Sequence, residues 1–198
     1  MMKSVVGATV VALSILQLAL SSEYSKVNGS VSVPAGTTVS SASTVNGSVE
    51  VGEKAHLGSA STVNGAIRVG AGAQVSGDVE AVNGKLSIAA GAVVGGGLSN
   101  VNGVIDIEKA QIKGSITTYN GDLTIGAGAR VDGGIRYKKS TMNWTLGRAP
   151  RVVIGPDAVV VGSLIFERPV QLFVSATAKV GQVTGAQATR FTGATPPG

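Results

Sequence analysis

The chain of 198 residues contains no cysteine, one histidine and few aromatic residues, which make up 4% of the sequence. The absence of cysteine excludes disulfides, thiolate catalysis and cysteine-ligated metals. Because His56 is the only histidine, any catalytic triad would have to use it, and its surroundings favour an exposed polar residue at a corner. Charged residues amount to 14%, and the formal charge of +5 is thinly spread. This pattern lacks the dense basic patch of a nucleic-acid-binding protein, so we expect no nucleic-acid partner.

Residues 1–21 are predicted to form a signal peptide. Lys3 precedes an apolar run from Val5 to Leu20, and the small residues Ala19 and Ser21 suit cleavage before Ser22. An uncleaved membrane anchor is the alternative, but the run is short for a span, which needs about 20 apolar residues. We therefore expect an exported protein, located in the periplasm or at the cell surface, with no transmembrane span after cleavage.

An Asn-Gly dipeptide preceded by Val or Tyr recurs through the first two thirds of the chain. The asparagines are separated by 18, 18, 19, 19 and 18 residues, and such a constant spacing indicates an internal structural repeat. The six asparagines are Asn28, Asn46, Asn64, Asn83, Asn102 and Asn120.

Each repeat has the pattern of three short strands joined by three corners. Alternating stretches such as Ala66-Ile67-Arg68-Val69 indicate strands with one buried face, and glycine-rich segments separate them. One such coil cannot pair its own backbone, whereas parallel stacking on neighbouring coils pairs all three sides. We predict a single all-β domain at residues 22–186, a three-sided parallel β-helix with about 18–19 residues per coil.

Stacked coils would align the six asparagines in a ladder along one edge, with amides that hydrogen-bond between coils. A structural role is favoured for this ladder over a ligand-binding stripe. Asn-Gly can also mark two-residue hairpins, but hairpins would leave the constant period unexplained.

The repeat is interrupted by residues 137–150, which we predict to be an inserted loop at a corner. The loop holds the only tryptophan together with basic residues, and insertions on solenoids often carry a binding face. Its candidate interaction residues are Lys138, Lys139, Trp144 and Arg148. Packing of Trp144 onto the solenoid is the alternative. The pattern resumes in two less regular coils, and residues 187–198 are predicted to be a flexible tail.

Nothing in the sequence predicts a catalytic residue, a cofactor site or a metal site. Calcium-loop patterns are absent. The glycines at 70–72 and 126–128 precede no helix, so they offer no helix N-terminus for a phosphate.

The repeat pattern of two segments, 69–77 and 125–133, resembles that of two β-helix families. The resemblance to bactofilins, which are polymer-forming bacterial cytoskeletal proteins, covers about residues 24–185. It implies a right-handed helix, which we favour over a left-handed one, and self-association through the terminal coils. The predicted signal peptide departs from that cytosolic family and suggests an exported relative. The left-handed hexapeptide-repeat acyltransferases are the second resemblance, which implies a trimer with a histidine base.

We therefore expect a non-enzymatic scaffold or polymer-forming protein of the bacterial cell envelope. The first alternative is a surface-binding or adhesin-like protein that uses the loop at 137–150. An acyltransferase or a polysaccharide-active enzyme is less favoured.

Overall fold

A computed structural model describes residues 22–139 and 148–197. The predicted signal peptide, and most of the predicted insertion with Trp144, lie outside the described residues. The described chain is all-β, and its parallel strands stack as a β-solenoid of about 8 turns. The predicted parallel β-helix is confirmed.

The described residues form 24 strands, most of them two to five residues long. In chain order they are β1 (Glu23–Asn28), β2 (Val31–Val33), β3 (Thr38–Asn46), β4 (Val49–Val51), β5 (His56–Asn64), β6 (Ile67–Val69), β7 (Gln74–Val75), β8 (Val79–Asn83), β9 (Leu86–Ile88), β10 (Val93–Val94), β11 (Leu98–Asn102), β12 (Ile105–Ile107), β13 (Gln111–Ile112), β14 (Ile116–Asn120), β15 (Leu123–Ile125), β16 (Arg130–Val131), β17 (Ile135–Tyr137), β18 (Arg151–Ile154), β19 (Val159–Val160), β20 (Leu164–Phe166), β21 (Gln171–Ser175), β22 (Lys179–Val180), β23 (Val183–Thr184) and β24 (Ala188–Phe191).

Three faces run along the solenoid. The first face is a nine-stranded sheet in the order β2-β4-β6-β9-β12-β15-β18-β21-β24. The second face contains the start of β3 and β5, followed by β7, β10, β13, β16, β19 and β22. The third face contains β1, the end of β3 and β5, then β8, β11, β14, β17, β20 and β23. The second and third faces form one bent 15-stranded sheet, because β3 and β5 run continuously around the corner between them.

The core consists of inward columns in which one side chain from each coil stacks on the next. On the first face, the outer residues of each three-residue strand are buried and the middle residue points outward, as in β4 and β6. One such column runs from Val49 through Ile67 to Leu86, all of them fully buried. Each buried Val, Leu or Ile stabilises the fold by about 1.5–3 kcal/mol. Three-residue strands therefore suffice because every coil adds to the same columns.

One extra residue explains why some repeats have 19 residues. Leu57 and Ala60, three positions apart in β5, align with Val75 and Val79, which are four positions apart. The added residue lies at the corner between the second and third faces, and it divides the long strand into β7 and β8. The period was readable from the sequence, but the corner that absorbs the added residue was not.

The predicted flexible tail at 187–198 requires a correction. Residues 188–191 form β24, which pairs in parallel with β21 and places Phe191 in the core with 5% of its surface exposed. Farther along, the carbonyl of Pro197 accepts a hydrogen bond from Arg151 at 2.8 Å. The segment lacks a clear alternation, but pairing with a preformed strand edge compensates for its weak local preference.

The described flanks of the insertion show where it leaves the solenoid. Strand β17 ends at Tyr137 on the third face, and β18 begins at Arg151 on the first face. Strand β18 pairs directly with β15, so the ladder of the first face continues unbroken past the insertion.

At five of the six Asn-Gly corners, from Gly47 to Gly121, glycine is required because successive coils approach too closely for a side chain. A Cβ on Gly65 would lie 1.9 Å from the carbonyl oxygen of Gly47, and a Cβ on Gly84 would lie 1.7 Å from that of Gly65. Gly65 has a φ of +158°, whereas Gly84 is outside the left-handed range. The asparagines of these corners do not adopt a positive φ, and at the first corner, where an added Cβ on Gly29 would meet nothing within 4 Å, the φ of +98° favours glycine instead.

Substitution of Gly84 by alanine tests this steric constraint. The added methyl group collides with the Gly65 carbonyl oxygen, so we expect a loss of about 3 kcal/mol or more of unfolding free energy. Urea unfolding followed by circular dichroism measures the loss. The adjacent exposed Lys85→Ala is the matched control, with an expected loss below about 1 kcal/mol. Equal stability of the two variants would contradict the steric account.

Candidate functional site

The six asparagines predicted to align lie in one ladder at the corner between the third and first faces. The Nδ2 of each asparagine donates to the Oδ1 of the asparagine one coil earlier. The five distances are 3.0, 3.0, 3.1, 3.1 and 3.4 Å from the N-terminal to the C-terminal end. The ladder is exposed at its first rungs and half-buried at its last two. Its amides bind one another, which supports a structural role.

Buried polar side chains lie inside the wall two residues before four of the six asparagines, at Thr44, Thr62, Asn100 and Thr118. Thr44 and Thr62 donate through Oγ1 to the carbonyl oxygens of Gly29 and Gly47, each at 2.9 Å. Asn100 donates to Gly84 O at 2.9 Å in the same way. A side chain from the following coil therefore satisfies the corner carbonyls of Gly29, Gly47 and Gly84. Ala81 offers no such donor, and the buried Oγ1 of Thr118 has no hydrogen-bond partner among the described residues. Sequence analysis missed these buried polar side chains, although the recurrence of Thr two positions before Asn was a usable signal.

Where the Asn-Gly repeat ends, two large side chains donate the hydrogen bonds that Thr and Asn donate in the earlier coils. The buried Tyr137 donates its hydroxyl to Gly121 O at 3.0 Å, and burial raises its pKa. Arg168 donates through Nη1 to the side-chain oxygen of Asn120 and, at 2.8 Å, to the carbonyl of Tyr119. The guanidinium thus occupies the acceptor that another asparagine would have used. The ladder therefore ends on a cation, which no short motif in the sequence indicates.

A cluster of cations surrounds this end of the ladder, and we name it the basic corner. It consists of Arg136, Lys138, Lys139, Arg148, Arg151 and Arg168. Two acids lie among them: Asp122 pairs with Arg148, and Glu167 pairs with Arg136 at 3.0 Å. The backbone N–H of Lys139, followed by Arg136, lowers the pKa of Glu167. The corner therefore keeps an excess of positive charge.

The predicted interaction residues divide between the described and undescribed parts of the chain. Lys138, Lys139 and Arg148 all belong to the basic corner, whereas Trp144 lies outside the described residues. The ammonium of Lys138 lies 5.7 Å from the centre of the Tyr119 ring, and Lys139 is exposed. Sequence analysis did not include Arg136, Arg151 and Arg168, since they come from separate strands and corners.

The first face carries a shallow depression of about 500 Å³ with side chains of both charges. Two of its four carboxylates are in ion pairs: Glu50 lies 3.2 Å from Arg68, and Asp106 lies 2.5 Å from Lys85. The other two, Glu53 and Glu108, form no ion pair among the described residues. A second groove, of about 390 Å³, lies between this face and residues Ala194–Pro196. Ser32 and Ser87 also line the first depression, so its described lining includes acids, bases and hydroxyl groups.

His56 heads strand β5 on the second face and is exposed, as its sequence context predicts. Its register partners on the neighbouring coils are Thr38 and Gln74, neither of which is ionisable. Within residues 22–139 and 148–197, no group of three or more His, Asp or Glu side chains could hold a metal ion. None of these residues forms a helix long and apolar enough to cross a membrane.

Comparison with known proteins adds no family to this picture. No family model, no curated protein and no solved structure matches the chain. The site must therefore be interpreted from its own geometry.

The asparagine ladder offers a test with an internal control. In Asn64→Asp, a carboxylate oxygen replaces the Nδ2 that donates to Asn46 Oδ1, so we expect a loss of about 1–3 kcal/mol at pH 7. The facing oxygen raises the folded-state pKa of the new carboxyl group above its usual value of about 4, so the loss disappears as the pH falls below that value. Urea unfolding at both pH values measures the effect.

Asn28→Asp is the control for this prediction. The Oδ1 of Asn28 accepts from Asn46, but its Nδ2 donates to no acceptor among the described residues. We expect a change below about 0.5 kcal/mol, as for an ordinary surface substitution. Equal losses in the two variants would show that the ladder bonds contribute nothing specific.

Proposed function

We propose that this chain is an exported, non-enzymatic structural protein that binds the anionic lipid surface of a cell-envelope membrane through its basic corner. The proposal of export depends on the amino-terminal segment with Lys3 and the apolar run that follows. The proposal of binding depends on the distribution of charge along the solenoid.

The observation that carries the proposal is an axial separation of charge. Residues 22–108 contain four Lys or Arg and seven Asp or Glu, a net charge of −3. Residues 109–197 contain eleven and four, a net charge of +7. The small overall charge therefore conceals one acidic half and one basic half, and the basic corner lies in the second.

The shape of the basic corner favours a planar partner. It lies where the third face turns into the first face, on a convex edge of the solenoid. A convex edge can approach a flat anionic surface with several cations at once, whereas a single polymer chain is better held in a groove. Each Lys or Arg near an anionic membrane contributes about 1 kcal/mol at moderate ionic strength. Lys138 and Lys139 form no ion pair with an acid of the described chain, so their charges are available.

A non-enzymatic role is supported by the pairing of the acids elsewhere. Two carboxylates of the first-face depression, Glu50 and Asp106, are held by Arg68 and Lys85. Asp132 is held by Gln111 at 2.9 Å and by Arg130 at 2.6 Å, and these contacts lower its pKa. A general acid or base at neutral pH needs a pKa shifted toward 7, which is the opposite direction for Asp132.

Removal of the two unpaired lysines tests the membrane proposal. We expect Lys138→Gln/Lys139→Gln to weaken binding to phosphatidylglycerol vesicles by about 2 kcal/mol, roughly 30-fold, at low ionic strength. Co-sedimentation of the purified protein with the vesicles measures this, with neutral phosphatidylcholine vesicles for comparison.

The control Lys109→Gln/Lys113→Gln removes the same charge in the preceding coil, outside the basic corner. We expect it to retain most of the binding. Equal losses of vesicle binding in both double variants would show that only the net charge matters and not the position of the lysines. Absence of vesicle binding by the unmodified protein, together with binding to an acidic polysaccharide, would refute the membrane as the partner.

A further inference from the structure

Among residues 22–139 and 148–197, the strands at the two ends of the solenoid pair on one side only. At the amino-terminal end these are β1 and β2, which pair with β3 and β4. At the carboxyl-terminal end they are β22, β23 and β24, which pair with β19, β20 and β21. The free N–H and C=O groups of an edge strand are a template for another strand. A second copy could therefore extend the third and first faces.

The registers specify how such a second copy would lie. Strand β1 belongs to the third face and would stack on β23, and β2 belongs to the first face and would stack on β24. Val183 and Ala188 are only partly buried, because no further coil covers them among the described residues. The acidic amino-terminal half and the basic carboxyl-terminal half favour this head-to-tail order over contact between like ends.

The inward columns at these two ends contain cations. Lys26 is in register with Thr44, and its column continues through Thr62 and Ala81. Arg190 is in register with Val174, and its column continues through Ile154 and Ile125. Every other described member of the two columns is uncharged. The only charged residue of each column thus lies at an end of the solenoid: Lys26 is the first described member of one column, and Arg190 is the last of the other.

Both cations are exposed and bound to local carbonyl groups. Lys26 donates through Nζ to Ser30 O at 2.8 Å, and Arg190 donates through Nη1 to Ser175 O at 3.1 Å. A stacked copy would cover both side chains and remove them from water. Residues 168–197 contain no Asp or Glu, so the carboxyl-terminal end offers Lys26 no carboxylate. Burial of an unpaired cation strongly opposes such contact.

We propose that the two ends are matching surfaces for head-to-tail association with a second copy of this chain, and that the exposed cations Lys26 and Arg190 prevent this association. The unmodified protein is then a discrete rod, despite its open backbone edges. This inference is independent of the basic corner, since neither residue belongs to it. It also opposes the end-to-end polymer expected from the bactofilin resemblance.

To test this, each cation is replaced by the uncharged residue that is in register with it on the neighbouring coil, Thr for Lys26 and Val for Arg190. We expect Lys26→Thr/Arg190→Val to assemble end to end, with association tighter by roughly two orders of magnitude or more. Sedimentation velocity over a range of concentrations measures the association. Negative-stain images should show rods one solenoid wide and several copies long, whereas the unmodified protein should give single short rods.

Two further variants separate this mechanism from misfolding and from simple charge loss. Lys113→Thr/Arg68→Val removes two outward cations away from the ends and should remain discrete. Addition of Val183→Lys to the assembling variant returns one inward cation to the carboxyl-terminal end and should disperse the rods. Filaments of the unmodified protein, or a double variant that stays discrete with an unchanged circular dichroism spectrum, would overturn the proposal.

Discussion

The close approach of successive coils at the Asn-Gly corner constrains the whole structure. A Cβ at Gly84 would lie 1.7 Å from the carbonyl oxygen of Gly65, which leaves room for hydrogen only. The spacing cannot widen locally, because the Gly65 N–H donates to Asn83 O at 3.0 Å and the strands on both sides of the corner are paired in register. Glycine at the five corners from Gly47 to Gly121 is therefore a condition of parallel stacking, and the regular repeat in the sequence follows from it.

The same close approach explains the two polar columns beside the glycines. A donor to a corner carbonyl near the core is stabilising, since a buried unsatisfied carbonyl costs about 1–3 kcal/mol. Thr62 supplies that donor from inside the wall by binding Gly47 O. On the outside, the side chain of Asn64 donates to that of Asn46, so the two coils are joined by a side-chain hydrogen bond in addition to their backbone bonds. The polar groups at this corner therefore serve the stacking itself, which is why a periodic motif need not indicate a ligand.

The sequence was sufficient for the fold because the solenoid is determined by neighbouring coils alone. The period, the alternation in segments such as 66–69 and the position of the asparagine ladder all followed from local pattern. The interior column of Thr44 and Thr62, and the termination of the ladder by Arg168, did not follow. These depend on which side chain reaches a carbonyl one coil away, and residues as different as Thr, Asn and Tyr satisfy the same requirement. Strand β24 was missed for a related reason, since its partner β21 supplies the order that its own sequence lacks.

The basic corner shows where function can be sought in such a fold. Inward columns and corner glycines carry the stability, so outward residues can vary at little cost to folding, and isolated surface ion pairs contribute at most about 1 kcal/mol. A random distribution of outward charge would serve solubility equally well. Instead, eleven of the 16 Lys and Arg residues lie between 109 and 197, and four of the 11 Asp and Glu residues accompany them. Because folding does not require this separation of charge, we propose that it serves the binding of a partner of opposite charge.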